Sequence, residues 1–361
     1  MIHVIIGTKA QLIKMAPVLK TLTTEGINYN YISTGQHKAT MDDILTNFDI
    51  KQPDYVLYEG KDITSVFHMV VWGIKSIFKT LREKKRIFRQ DKKGIVLIHG
   101  DTFSTLLGAI MGKIAGLKVG HVESGLRSFS LFHPFPEEIT RLLTFRLSDY
   151  MFCAGEWAEN NVKNYKAVKI NTQINTLYDS LRFALPAIEQ LSLDLPNKAY
   201  GIVTLHRFEN LYNYASVNRI VTSVEKIAQT HFLLFILHKP TEIKLKRFKF
   251  YERLANNPNI ELRERYDYFK FIKLILNANF VISDGGSNQE ECYYLGKPVL
   301  LLRNATERKE GLSENCVLSH YNPNIIQAFV HNIANYQRPF QTLSFSPAKI
   351  IVDSCRPFVN N

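Results

Sequence analysis

IVLIHGDTFSTLLGAIMGKIAGLKVGHVE, residues 95–123, is the stretch that decides the fold. Its ends, Ile95 to His99 and Val119 to Glu123, are apolar strand-like runs, and the segment between them has helical periodicity. Strand, helix and strand in so short an interval make a parallel βαβ unit. Outward from it the pattern repeats. Val4 to Gly7 precedes a helix from about Leu12, and Tyr29 to Thr34 and Tyr150 to Ala154 are further strands of the first half. In the second half Gly201 to Leu205, Leu233 to His238, Ile260 to Arg263, Phe280 to Ser283 and Val299 to Arg303 follow the same plan. The expectation is an α/β protein of two doubly wound parallel sheets.

At 361 residues the chain exceeds what one compact core usually serves. The boundary is expected between Ala167 and Asn175, giving domains 1–170 and 171–361, with the C-terminal segment free to return to the first domain. Hydrophobic residues make up 45% and charged residues 22%, ordinary values for a globular protein. The N-terminus opens on the strand-like run Met1 to Ile6, with no signal-peptide pattern, and no apolar run approaches the roughly 20 residues of a membrane span. Cys153, Cys292, Cys316 and Cys355 have no paired spacing, which fits a reducing cytoplasm better than a disulfide framework or a zinc site.

The net charge of +12 is partly local, in KSIFKTLREKKRIFRQDKK (residues 75–93) and KLKRFK (244–249). The first reads as a helix with Ile77, Phe78, Leu81 and Ile87 facing inward and a solvated basic face. Docking on an anionic membrane surface is the better of its functional readings. No motif with aromatic residues placed for nucleic acid is present, so a nucleic-acid partner is not expected.

Ligands of open parallel sheets bind beyond the carboxyl ends of the strands, and polar residues cluster there. His99-Gly100-Asp101-Thr102 follows one strand, His121-Val122-Glu123-Ser124-Gly125-Leu126-Arg127 the next, and Pro136-Glu137-Glu138 closes a proline-bounded loop. Taken singly, each carboxylate also reads as a helix cap or a surface charge. In the second half His206-Arg207 and His238-Lys239 follow strands, and Asp284-Gly285-Gly286-Ser287-Asn288-Gln289-Glu290-Glu291 is a glycine turn opening a helix. Such a turn offers free N–H groups at the positive helix end, which suits a diphosphate. The Glu290–Glu291 pair can accept from a ribose diol, although a solvent-facing pair has the same sequence.

These residues, with Gly7-Thr8, Ile13-Lys14-Met15-Ala16-Pro17, Thr34-Gly35-Gln36-His37 and Thr306-Glu307-Arg308, resemble the UDP-N-acetylglucosamine 2-epimerases of the non-hydrolysing type, in that family's order. The resemblance implies a GT-B fold, two Rossmann-like domains facing across a cleft, and a homodimer. It implies catalytic roles for Asp101, Glu123, Glu137 and His206, and substrate contacts from Lys9, Lys14, Arg127, Arg207, His238 and Arg308. UDP would lie mainly on the second domain, its diphosphate on Gly285, Gly286 and Ser287, its ribose on Glu290 or Glu291 and its uracil against Phe269.

The implied activity is inversion at C2 of a UDP-N-acetylhexosamine, for surface polysaccharide precursors, with no cofactor or metal. Elimination of UDP gives a 2-acetamidoglycal, and re-addition with protonation from the other face inverts C2. One base and one acid on opposite faces are needed. A hydrolysing 2-epimerase or an epimerase-like GT-B glycosyltransferase remains open, as does a nucleotide-sugar binder without turnover, because one fold hosts several reactions. Three motifs depart from the family: Gly7-Thr8-Lys9-Ala10-Gln11 stands where Gly-Thr-Arg-Pro-Glu is usual, Ile174-Asn175-Thr176 where Gly-Asn-Thr is usual, and Lys309 where proline is usual. Residues 38–41 and 61–64 only partly match those that hold a regulatory substrate molecule in bacterial members.

Overall fold

The computed structural model describes residues 1–37, 41–60, 62–63, 66–130 and 136–359. They form two compact units, Met1–Ala184 with Leu343–Asn361, and Leu185–Thr342. Of the segments expected to touch a regulatory substrate, residues 38–40, 61 and 64 lie outside the described residues.

The first unit is built on β1 (Ile2–Ile6), β2 (Tyr29–Ser33), β3 (Tyr55–Val56), β4 (Ile95–His99), β5 (Lys118–Ser124), β6 (Tyr150–Cys153) and β7 (Val168–Asn171). They make one seven-stranded sheet in the order β3-β2-β1-β4-β5-β6-β7, and all its pairs are parallel. Every residue of β1, β2 and β4 is buried, as expected of a parallel sheet covered on both faces. The second unit has β8 (Tyr200–Thr204), β9 (Phe232–Leu237), β10 (Ile260–Glu264), β11 (Phe280–Ser283), β12 (Val299–Leu301) and β13 (Cys316–Leu318), also parallel, in the order β10-β9-β8-β11-β12-β13. Both sheets are wound outward in two directions from a central pair, β1/β4 and β8/β11.

The strands β3, β7 and β13, absent from the sequence reading, all stand at sheet edges and are only partly buried. A short edge strand packs on one side, so its residues carry a weaker apolar signal. The strand β7 runs across the boundary expected near residue 170, and the first unit continues to Ala184. The helix Pro347–Cys355 lies in the first unit, where the buried Asp179 carboxylate accepts from the Ala348 N–H at 2.8 Å and the Ser346 hydroxyl at 2.7 Å.

The helix Val66–Ile87 corrects one expectation. Ile87 is buried and Ile77 packs on the core, but Phe78 is 58% and Leu81 52% exposed. The inward row is Trp72, Ser76, Thr80 and Ile87. Its Thr80 hydroxyl is satisfied by the Ser76 carbonyl at 2.8 Å, so two hydroxyl residues take core positions and hydrophobicity alone points to the wrong side. Among the described residues no helix is long and apolar enough to cross a membrane.

Candidate functional sites

In a doubly wound sheet the ligand crevice lies where the strand order reverses, beyond the carboxyl ends of the central strands. In the first unit that place is between β1 and β4. After β1, Thr8 caps the helix Lys9–Thr24 and Gln11 completes a capping box. The Gln11 Oε1 accepts from the N–H groups of Gly7 (2.9 Å) and Thr8 (3.1 Å). Its Nε2 donates to the His99 carbonyl (2.7 Å) and to the hydroxyls of Thr102 (3.0 Å) and Thr105 (2.9 Å). Gln11 therefore ties the loop after β1 to the loop after β4, using both ends of an amide. A carboxylate has no proton to give these acceptors.

Gly100 takes φ +70°, a turn conformation that suits glycine, and puts Asp101 just before the helix Phe103–Ala115, capped by Thr102. On the adjacent strand the β5–β6 register slips between Val122 and Ser124, and Glu123 sits in the gap with φ +63°. A bulge re-aims a side chain, and a positive φ on glutamate is strained backbone held by its surroundings. The Glu123 carboxylate is nearly buried and accepts from the Lys14 ammonium and the Asn175 amide. Its other oxygen lies 3.9 Å from His99 Nδ1. A Cβ on Gly100 would come within 3.3 Å of Glu123 Oε2, so the carboxylate rests against the turn that carries Asp101.

Asp101 accepts from the Arg141 guanidinium, whose Nε is 3.0 Å away. Arg141 also donates to Glu138 Oε2 at 3.1 Å, and Arg127 donates to Glu138 Oε1. Burial pushes the fully buried Glu138 carboxyl up, but the Ser128 N–H, Arg127 and Arg141 outweigh it and hold it below the usual range. The Thr140 hydroxyl donates to the carbonyls of Asp101 and Glu137. Glu137 opens the helix Glu137–Leu147 and is half-buried. His121 is buried, its Nε2 2.7 Å from the Gly100 carbonyl; burial lowers its pKa to about 4, so it is neutral and donates there. Asp101, Glu123 and Lys14 thus converge at the switch point, and the backbones of Asp101 and Glu137 meet through Thr140. Arg127 serves the Glu138 cluster, and Lys9 is half-exposed in the first helical turn.

In the second unit the switch point lies between β8 and β11. Asp284 is fully buried after β11, and its carboxylate accepts from the N–H groups of His206 (3.0 Å) and Arg207 (3.0 Å) and from the Asn210 amide (2.8 Å). It thereby fixes the loop after β8. The His206 and His238 rings stack with centroids 4.7 Å apart. Loss of water around the His206 ring, then the charges of Arg207 and Arg265, lower its pKa despite Asp284. Gly285 caps the helix Gly286–Leu295. A Cβ at Gly285 would fall 2.7 Å from Asn288 Oδ1, and one at Gly286 would fall 3.2 Å from Arg308 Nε and 3.3 Å from Glu307 Oε1. The glycines let these side chains close on the first helical turn, where the N–H groups have no intrahelical acceptor.

Glu307 accepts from Arg207 Nη2 at 2.9 Å and from Arg303 Nη2 at 3.0 Å. Burial raises its carboxyl, but Arg207 and Arg303 prevail and hold it down to about 2. The Glu290–Glu291 pair is buried, which removes the solvent-facing alternative. Glu290 pairs with Arg308 at 2.7 Å, and Glu291 accepts from the Asn288 amide at 2.9 Å. Ser287 is half-buried in the first turn, and Phe269 is buried, 3% exposed, at the start of the helix Tyr268–Asn277. Among the described residues no group of three or more His, Cys, Asp or Glu side chains is placed to hold a metal ion.

Two switch points with these residues now stand beside the comparison with known proteins. The profile described as UDP-N-acetylglucosamine 2-epimerase matches residues 20–346. The chain belongs to this family. Among its relatives is the UDP-N-acetylglucosamine 2-epimerase of Methanococcus maripaludis, 33% identical over 357 residues covering 94% of each chain. That of Neisseria meningitidis serogroup A is 31% identical over 377 residues, 97% of each. Solved family members match over 98% of both chains: the Methanocaldococcus jannaschii UDP-GlcNAc 2-epimerase in complex with UDP-GlcNAc and UDP (TM-score 0.80, 27% identity) and the Neisseria meningitidis enzyme bound to UDP-GlcNAc (TM-score 0.81, 29% identity). The fold is that of the family, two parallel α/β domains of GT-B type.

Within this family member, Arg141, Asn175, Asp284 and Glu307 hold the expected site residues in place but were not assigned from sequence. Arg141 follows Glu138 at i+3 on one helix face, a signal that was there to read. Asp284 and Glu307 were visible only as motif letters, because their partners lie 77 and 100 residues away.

Proposed function

We propose that this chain is a non-hydrolysing UDP-N-acetylglucosamine 2-epimerase, interconverting UDP-N-acetylglucosamine and its manno epimer. Family membership supports the substrate class, since relatives are crystallised with UDP-GlcNAc and UDP. The observation that carries the reaction type is the pair of carboxylates at the first switch point. Glu123 is held on a strained bulge by Lys14 and Asn175, and Asp101 is oriented by Arg141.

One carboxylate takes the C2 proton while the C1–O bond breaks and UDP leaves with the bonding electrons, giving the 2-acetamidoglycal. UDP re-adds at C1 as an acid, drawn from Asp101, Glu123 and Glu137, gives a proton to the opposite face of C2. The second unit holds UDP: diphosphate at the first turn of Gly286–Leu295 beside Arg207 and Arg308, and ribose on the Glu290–Glu291 side of that helix. His206, neutral and stacked on His238, attends the leaving diphosphate as donor.

Proton NMR of UDP-N-acetylglucosamine with the protein in D2O tests this. Expected are deuterium at C2 and a manno signal with UDP still attached. Free N-acetylmannosamine with stoichiometric UDP identifies a hydrolase, and an unchanged sugar without deuterium at C2 sinks the epimerase reading.

A further inference from the structure

In a regular parallel ladder each bonded residue donates its N–H to the neighbouring strand and accepts at its C=O from the same strand, two residues further on. Ile98 stands opposite His121 and His99 opposite Val122, and the Gly100 N–H donates to the Val122 carbonyl at 2.9 Å. The next bond would run from the N–H of Ser124 to the Gly100 carbonyl. Among the described residues it is not formed: β5 bulges at Glu123, and the Gly100 carbonyl receives the His121 imidazole instead, Nε2 to oxygen 2.7 Å. The bulge that aims Glu123 thus takes away a backbone donor, and a side chain earlier on the same strand replaces it.

An imidazole is an unfavourable way to fill this space. His121 is fully buried, its ring lies against Phe145 with centroids 5.6 Å apart, and its Nδ1 has no hydrogen-bond partner among the described residues. A buried unpaired nitrogen costs stability, and an apolar side chain would pack there without it. What the histidine adds is one N–H, spent on the turn that carries Asp101. Gly100, at φ +70°, has no side chain to hold that turn. The Thr140 hydroxyl holds the Asp101 carbonyl and Arg141 holds its carboxylate, but the peptide plane between Gly100 and Asp101 is set by the His121 bond.

We propose that His121 is a positioning residue for the chemistry at C2: its Nε2–H fixes the Gly100–Asp101 peptide, and through it the direction of Asp101 and the turn on which Glu123 rests. The proposal rests on the two-carboxylate reading given above. It requires one tautomer, with the proton on Nε2, because a carbonyl oxygen accepts and cannot donate. The ring is neutral, since burial lowers its pKa to about 4 against the opposing pull of Glu123 and Asp101.

Two variants separate positioning from packing. His121→Leu fills the space without a donor, whereas the side-chain amide of His121→Gln has a similar reach and can still donate. With UDP-N-acetylglucosamine as substrate, His121→Leu is expected to lose about 100-fold in kcat, the scale of an ångström-sized misplacement, with KM within about twofold of wild type. The rise in melting temperature with UDP is expected to survive, because UDP is assigned to the second unit. His121→Gln is expected to recover at least about tenfold of the lost kcat, the worth of one restored hydrogen bond. A merely structural role would weaken folding in both variants and would not follow the donor. Near-normal kcat in His121→Leu, a rise in KM at constant kcat, or a His121→Gln no faster than His121→Leu overturns the proposal.

Histidine-selective nitrogen-15 labelling gives a readout independent of turnover. At neutral pH the wild-type signal that vanishes in His121→Gln is expected to be that of a neutral imidazole protonated at Nε2; a proton on Nδ1, or a charged ring, rules the role out. A wild type that releases free sugar sinks the epimerase reading, yet the ratio of each variant to wild type on that product still decides the role of His121. A wild type that forms no product also sinks that reading, and the tautomer then decides.

Discussion

At the scale of single residues, the argument rests on groups that a sequence motif names but cannot aim. Glu123→Gln and Asp101→Asn keep the shape of each side chain and are expected to cut turnover by at least about 100-fold with the far-ultraviolet spectrum unchanged. Near-normal rates in both would remove these carboxylates from the chemistry. Gln11 makes a sharper case, because family resemblance suggests that glutamate would serve better there. The structure argues the reverse: its Nε2 donates to three oxygens, and a carboxylate would set one of its own against them. Gln11→Glu is expected to lower stability by about 1–3 kcal/mol, seen as a fall in the urea midpoint at constant slope. An unchanged midpoint would mean that the loop after β1 is not held as described.

At the scale of elements, helix termini do most of the positioning. At the first turn of Gly286–Leu295, glycine lets Arg308 and Glu307 close within 3.3 Å of where a Cβ would stand. Gly286→Asp puts a carboxylate there, so UDP, which should raise the melting temperature of the wild type, is expected to leave this variant unmoved. Equal shifts in both would place the nucleotide elsewhere. The helix Pro347–Cys355 is tied back by Asp179 capping its N-terminus. Asp179→Ala removes both acceptor contacts at a buried site and is expected to cost about 1–2 kcal/mol of helix-end stability. Hydrogen exchange resolved by segment should show residues 347–355 losing protection first; uniform loss across the first unit would refute a local role. Most elements were legible in the sequence because buried parallel strands are near-continuous apolar runs. The edge strands and the outward stripe of Val66–Ile87 were not. Their pattern depends on what covers one side, and periodicity records spacing without saying which side that is.

At the scale of the whole molecule, buried titratable groups set the response to acid. His3 and His121 have pKa values lowered to about 4, chiefly by burial. A histidine that resists protonation when folded contributes stability above its unfolded pKa of 6.5, lost as pH falls from there toward 4. Glu307 and Asp91, held near 2, contribute stability above the ordinary carboxylate range that is lost between about 4.5 and 2. For Glu307 the limit is about 3 kcal/mol. The melting temperature should therefore decline from about pH 6.5 and steepen below about 4.5, and Glu307→Gln should flatten the lower limb; a flat profile down to pH 3 would contradict these burials.

The sequence by itself determined the alternation of strands and helices, the ends at which polar residues gather, and the family, because local periodicity and ordered motifs are properties of a linear chain. Tertiary structure alone decided that Glu123 sits on a bulge against Gly100, that Arg141 joins Asp101 to Glu138, that Glu307 holds Arg207 and Arg303, and that Phe78 and Leu81 face out. Each of these depends on register between strands, on which side of an element is covered, or on a partner far along the chain, and these are fixed only when the whole chain has packed.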